Sequence, residues 1–113
     1  MNRLDRLGHM MALQKELQMR LNGVEDVKKL PQTYYNTMTM ALMDELMEAL
    51  RETPWKPWKK GQTLDYDRVK DELVDAWHFL MNLMLWTGMD ATELYTRYQG
   101  KNLENHRRQD EDY

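Results

Sequence analysis

The 113-residue sequence contains no cysteine and no serine. Without cysteine the chain has no disulfide framework, no thiolate zinc site and no cysteine nucleophile, and without serine it has no serine nucleophile. The phosphate-binding P-loop, the G-x-S-x-G elbow and the H-E-x-x-H zinc motif are also missing. Because the three histidines show no metal-ligand spacing with one another, the remaining candidates for chemistry are carboxylates, amides and cationic side chains.

The chain also lacks a basic surplus and a long apolar run. Its net charge is −3, which argues against a nucleic-acid partner because such proteins usually present a basic face. No stretch approaches the about 18–20 apolar residues of a membrane span, and residues 1–14 are too charged for a signal peptide. We therefore expect a cytoplasmic protein, in the host cytoplasm if it is viral, with neither a nucleic-acid nor a membrane partner.

Length and apolar periodicity predict one all-α domain over residues 1–113. Four helices are predicted, over about residues 2–22, 33–52, 65–87 and 90–108, and Gly23 and Gly88 end the first and third of them. Asp65 or Asp67 can cap the third helix, and the fourth helix opens at Asp90. The apolar stripes expected to be buried include Leu46 on the second helix and Leu73 on the third. We expect these helices to form a four-helix, bundle-like fold. Residues 109–113 are expected to be a flexible tail or to fold over a site.

Two acidic pairs, Glu45-x-x-Glu48 and Glu72-x-x-Asp75, are separated by 23 residues. Residues three apart share one face of a helix, so each pair presents two carboxylates side by side. If the two helices face each other, four carboxylates converge and need bound cations, for which oxygen ligands favour Mg²⁺, Mn²⁺ or Ca²⁺. Taken by itself, each pair is more typical of a solvated helix face.

Cationic and amide side chains accompany the acidic pairs in three places. The loop over residues 53–63 interleaves Trp55 and Trp58 with lysines, which suits a bound polyanion or a solvated basic loop. The last helix carries a stripe that fits either a phosphate clamp or a solvated helix end: Tyr98, Lys101, Asn105 and Arg108. The first helix carries amides at spacings of four: Gln14, Gln18 and Asn22.

Two metal-carboxylate chemistries fit these residue types. A ferritin-like di-iron site needs Glu-x-x-His on two helices, whereas this chain offers only Asp75-x-x-His78. A Mg²⁺ site for phosphoryl chemistry needs clustered carboxylates with nearby cations. A di-iron carboxylate protein and a non-enzymatic helical interaction module remain as distant alternatives.

Several segments follow one another in an order that resembles a known superfamily. The acidic pairs match E-x-x-E followed by E-x-x-D, and four further stretches match in order: LQMRLN at 17–22, MEALRETPWKPWKK at 47–60, DELVDAWHFLMNL at 71–83 and YQGKNLENHRRQDEDY at 98–113. Together they resemble the all-α nucleoside triphosphate pyrophosphatases, which include the MazG proteins and the dimeric dUTPases. The dimeric dUTPase branch is the most similar, although its aromatic residue between Lys and Trp is Pro57 here.

The resemblance implies hydrolysis of a deoxynucleoside triphosphate, dUTP favoured, to the monophosphate and pyrophosphate. The same reaction on dCTP, on a purine nucleotide such as dGTP or on a modified nucleotide is the alternative. The resemblance also implies two or three Mg²⁺ ions, with Mn²⁺ as a substitute, held by Glu45, Glu48, Glu72 and Asp75. Glu45 would orient or deprotonate the attacking water.

The resemblance further implies which residues contact the nucleotide. Phosphate binding is expected from Lys56, Lys101, Asn105 and Arg108. Base and sugar binding is expected from Gln18, Asn22, Trp58 and Phe79, with Phe79 excluding a 2′-hydroxyl. Because 11 Met and 4 Trp leave much apolar surface on so small a chain, a homodimer or homotetramer is expected.

Overall fold

The computed structural model describes residues 5–111 and contains four α-helices and no strand within that range. The helices are α1 (Arg6–Asn22), α2 (Gln32–Arg51), α3 (Tyr66–Trp86) and α4 (Ala91–Asp110). The all-α, four-helix prediction is confirmed. A short 3₁₀ turn, Val27–Lys29, lies in the first connection and was not predicted, and α4 continues through the first two residues of the expected tail.

Side-chain caps set where the helices begin. The carboxylates of Asp5, Asp65 and Asp90 each accept a hydrogen bond from the backbone N–H three residues on, at 2.6, 3.2 and 2.8 Å. Such caps satisfy N–H groups that have no partner within the helix. Gly23 and Gly88 follow α1 and α3 with φ of 62° and 86°, which confirms both predicted stops.

Helices α2 and α3 form an antiparallel hairpin, and their contacts extend along its whole length. At one end the rings of Tyr35 and Trp86 lie 4.9 Å apart. At the other end Asp65 donates a backbone hydrogen bond to the carbonyl of Glu52 at 3.3 Å. The pairing sets every α2 residue opposite a fixed α3 residue, so it determines which carboxylates meet.

Helix α1 and the 3₁₀ turn cover one end of this hairpin and enclose the core. Five buried residues form the core cluster in the described part of the chain: Met11, Val27, Tyr34, Met81 and Leu85. Within residues 5–111, α4 approaches α1 but brings no Cα within 8 Å of a Cα of α2 or α3. The radius of gyration is therefore 17.6 Å, compared with about 13 Å for a compact chain of this length.

Several residues predicted to be buried are exposed in the single chain. Leu46 and Leu73, assigned to the buried faces of the second and third helices, are 46% and 48% exposed. That assignment is wrong for one chain, because no other described element covers this part of the hairpin. None of the described helices combines the length and apolar character needed to cross a membrane.

Candidate active site

The predicted acidic pairs meet where the end of α2 faces the beginning of α3. Glu45 and Glu48 lie one turn apart on α2, and Glu72 and Asp75 lie one turn apart on α3. One carboxylate oxygen from each of Glu45, Glu72 and Asp75 lies within 4.8 Å of the other two. Glu48 joins the cluster through its interaction with Glu72.

The carboxylates of this cluster destabilise one another's ionised forms. A side-chain hydrogen bond to Glu72, followed by desolvation and the charge of Glu48, raises the pKa of Glu45 to about 7. Interaction with Glu72 also raises the pKa of Glu48. The Oε2 atom of Glu45 is buried and has no hydrogen-bond partner within the described residues. When Glu45 and Glu72 are both ionised, they share no proton. The buried Oε2 atom of Glu45 then has no donor to offset the cost of burying its charge.

This donor set fits a hard divalent cation. Its ligand atoms are carboxylate oxygens, the type that Mg²⁺, Mn²⁺ and Ca²⁺ prefer, and their mutual approach of 4.8 Å is short enough for one ion to bridge them. A cation would also supply the partner that Glu45 Oε2 lacks. Because no histidine belongs to the cluster in the described part of the chain, the di-iron Glu-x-x-His pattern is not formed.

The loop between α2 and α3 lies beside this cluster and carries two predicted residues, Lys56 and Trp58. The Gln62 side chain fixes the loop by donating to the carbonyls of Lys56 and Lys59 at 2.6 and 2.8 Å. A cleft of about 350 Å³ opens there, lined on its cationic side by Arg51, Lys56 and Lys59. Trp58 is 72% exposed and packs edge-to-face on Trp55, so it faces solvent. Lys56 lines the cleft, whereas the four carboxylates of the cluster do not.

The structure does not bring the predicted α4 residues to the cluster within one chain. Lys101, Asn105 and Arg108 are exposed on a helix that stays away from α2 and α3. Arg108 lies 3.3 Å from Glu104 of the same helix.

The predicted base and sugar residues occupy different environments. Gln18 is buried and its Oε1 accepts a hydrogen bond from the Tyr34 hydroxyl at 2.8 Å. Asn22 is exposed and donates to the Gln18 carbonyl of its own helix. Phe79 is partly buried on α3, one turn beyond Asp75.

The structure adds three residues to which the sequence assigned no role. Gln14 donates through Nε2 to Asn82 Oδ1 at 2.7 Å, and Asn82 in turn donates to the sulfur of Met38 at 3.3 Å. Tyr34 is the third, through its bond to Gln18. Gln14 and Asn82 were visible in the sequence as amides at helical spacing beside the site residues, but only the tertiary fold shows that they meet.

Comparison with known proteins gives the following matches. The family model described as dUTPase matches residues 6–88. A dCTP pyrophosphatase of Enterobacteria phage LZ5 is 42% identical over 71 residues, covering 52% of this chain and 41% of the phage protein. A dCTP pyrophosphatase of Enterobacteria phage T4 is 37% identical over 71 residues, covering 52% and 42%. The chain thus spans less than half the length of the curated relatives it matches, and no solved structure matches it.

The raised pKa of Glu45 predicts how the metal-free protein responds to pH. A carboxyl whose pKa rises on folding, here to about 7, favours the folded state when protonated, so stability should fall as pH increases from about 4.5 to about 7. Thermal unfolding in chelator between pH 5 and 8 measures this. Glu45→Gln should flatten the decline, and Asp71→Asn, on the neighbouring exposed face, should not. An equal decline in wild type and Glu45→Gln would contradict the assignment.

Proposed function

The chain belongs to the dUTPase family, and we propose that it hydrolyses a pyrimidine deoxynucleoside triphosphate to the monophosphate and pyrophosphate. The observation that carries this proposal is the convergence of Glu45, Glu72 and Asp75 to within 4.8 Å, with a buried Glu45 oxygen that lacks a partner. Such a cluster is costly unless a cation binds it. Phosphate esters and anhydrides are the substrates that such cation sites commonly activate.

In the proposed site, Mg²⁺ would be held by Glu45, Glu48, Glu72 and Asp75, with two or three ions per site and Mn²⁺ as a substitute. Bound there, the cations would neutralise triphosphate charge and lower the pKa of a coordinated water. Through the cations they would hold, the carboxylates would orient the substrate with its α–β phosphoanhydride beside Glu45. The cationic side of the neighbouring cleft, which includes Lys56, contacts the phosphate oxygens.

Glu45 accepts the proton of the attacking water. As the water oxygen bonds to phosphorus, the P–O bond of the α–β anhydride breaks and pyrophosphate leaves. A carboxylate has two oxygens, so Glu45 can bind a cation through one of them and accept a hydrogen bond from the water through the other. Products are the deoxynucleoside monophosphate, pyrophosphate and the proton held by Glu45.

Pyrimidine selectivity is supported by the comparisons. The matching family model is described as dUTPase, and both phage relatives are named dCTP pyrophosphatase. The preference for dUTP expected from the sequence is therefore not confirmed, and dCTP is a substrate candidate of equal standing. Gln18 and Asn22 are proposed to contact the base, Phe79 the sugar, and Trp58 to close the pocket or stack on the base. The phage origin of the relatives supports action on a nucleotide pool in the host cytoplasm.

We further propose that the chain functions as a homodimer or homotetramer. It exposes 9122 Å², about 2500 Å² more than a compact monomer of its mass. Exposed apolar side chains form two stripes. The stripe on α1 consists of Met10, Leu13, Leu17 and Leu21, and the stripe on α2 consists of Met40, Met43 and Met47. Stable homodimers bury areas of this order. In such an assembly α4 of a second copy can supply Lys101, Asn105 and Arg108 to the phosphates, which its own chain does not allow.

The proposed reaction predicts the effect of removing one carboxylate. Glu48→Gln deletes a charge with little change in volume, so turnover should fall by at least about 100-fold while the melting temperature in chelator stays level or rises. Chromatography of products from dCTP, dUTP, dTTP, dATP and dGTP with Mg²⁺ measures both rate and selectivity. Asp71→Asn is the matched control and should retain wild-type turnover. Release of inorganic phosphate and diphosphate nucleotide, or full activity of Glu48→Gln, would contradict the proposal.

The proposed assembly predicts the mass of the particle in solution. Light scattering at micromolar concentration should give twice or four times the chain mass of 13.7 kDa. Leu17→Lys places a charge in the α1 apolar stripe and should shift the equilibrium toward monomer. Glu16→Lys, on the next and exposed position of the same helix, should leave the mass unchanged. A monomeric wild-type protein would overturn the proposal.

A further inference from the structure

Two separate hydrogen-bonded groups of polar side chains lie in the interior of the fold between α1, α2 and α3. Gln14, Gln18 and Asn82 are 4%, 6% and 2% exposed. Gln14 Nε2 donates to Asn82 Oδ1 at 2.7 Å, and the Tyr34 hydroxyl donates to Gln18 Oε1 at 2.8 Å. Burying three amides and a phenol in so small a core costs free energy unless their hydrogen bonds are satisfied. Any of their polar atoms left without a partner is therefore a candidate for binding a ligand.

Some polar atoms of these two buried groups lack a good hydrogen-bond partner. Asn82 Nδ2 donates only to the thioether of Met38, which is a weak acceptor. Within the described residues, Gln14 Oε1 and Gln18 Nε2 have no hydrogen-bond partner, yet neither is among the fully enclosed polar atoms. The free ends of the two glutamines are thus one acceptor and one donor, held one helical turn apart on α1.

These buried polar groups lie along α3 from the carboxylate cluster. Asn82 lies seven residues beyond Asp75 on α3, which is two turns and about 10 Å along the helix axis. Phe79 lies between them on the same line. A nucleotide whose phosphates lie at Glu72 and Asp75 and whose sugar lies at Phe79 would place its base beside Gln14 and Gln18.

We propose that Tyr34 and Asn82 are positioning residues that make the site select cytosine over uracil. This inference rests on the proposed nucleotide hydrolysis. Tyr34 holds Gln18 with its donor end free, and Asn82 holds Gln14 with its acceptor end free. The Watson–Crick edge of cytosine ends in one acceptor, O2, and one donor, the N4 amino group, whereas that of uracil ends in two acceptors. Uracil would therefore place a carbonyl oxygen against Gln14 Oε1 and leave a buried acceptor unpaired.

Removing the tyrosine hydroxyl tests the first half of the proposal. Tyr34→Phe frees Gln18 to rotate, so the ratio of kcat/KM for dCTP to that for dUTP should fall by about five-fold, the equivalent of one net hydrogen bond. The kcat for dCTP should stay within about two-fold of wild type, because the carboxylates are untouched. A purely structural role would lower both substrates equally and leave the ratio unchanged. Tyr35→Phe is the control, since its ring packs on Trp86 and its hydroxyl makes no hydrogen bond within the described residues.

Asn82→Leu tests the second half and should raise relative use of dUTP by releasing Gln14. Calorimetric binding of dCMP and dUMP to wild type and Tyr34→Phe gives the same comparison without turnover.

If no nucleotide is hydrolysed but dCMP still binds in preference to dUMP, the proposed reaction fails and the base selector stands. If dCTP and dUTP are both hydrolysed with a ratio unchanged in Tyr34→Phe and Asn82→Leu, the selector is overturned. If the wild type prefers dUTP, or neither binds nor hydrolyses a pyrimidine nucleotide, the selector is also overturned.

Discussion

Electrostatic repulsion between carboxylates at the α2–α3 junction is the constraint on which the account of this protein depends. Antiparallel packing of the hairpin brings Glu45, Glu72 and Asp75 together, and the crowding of like charges disfavours the ionised form of Glu45. The raised pKa of Glu45 and its partnerless buried oxygen are two consequences of the same crowding. A fold that keeps such a cluster at a cost in stability is typical of a site built for a ligand, here a divalent cation and the phosphates that accompany it.

In the proposed assembly, a single chain would be only part of the structural unit that forms this site. The hairpin and α1 make a small core, against which Ala91 and Leu94 at the start of α4 pack. Among the described helices, α4 brings its Cα atoms within 8 Å of those of α1 alone. Apolar stripes on α1 and α2 face solvent, and the cationic stripe of α4 lies far from the carboxylates it was expected to serve. One arrangement, association of copies through the apolar stripes, would account for both features. The exposed apolar residues of one chain would then form the interface that brings α4 of a second copy to the site.

The sequence predicted local features well and tertiary encounters less well. Helix bounds followed from apolar periodicity, from the caps Asp65 and Asp90, and from Gly23 and Gly88, because these signals act within a few residues. The carboxylate cluster was predictable since Glu-x-x-Glu and Glu-x-x-Asp each fix a helix face. The pairing of Gln14 with Asn82, 68 residues apart, was not, because it depends on how α1 crosses the hairpin. Burial of Leu46 and Leu73 was predicted wrongly since periodicity marks an apolar face without saying which chain covers it.

Binding of Mn²⁺, followed by the paramagnetic resonance signal of the free ion, tests the central claim most directly. The wild-type protein should take up Mn²⁺, Mg²⁺ should displace it, and a deoxynucleoside triphosphate should tighten the binding. Glu72→Gln, which removes the carboxylate shared by Glu45 and Glu48, should weaken uptake by at least about ten-fold, and Asp71→Asn should not. Equal Mn²⁺ affinity in wild type and Glu72→Gln would contradict the assignment of this cluster as the metal-binding centre.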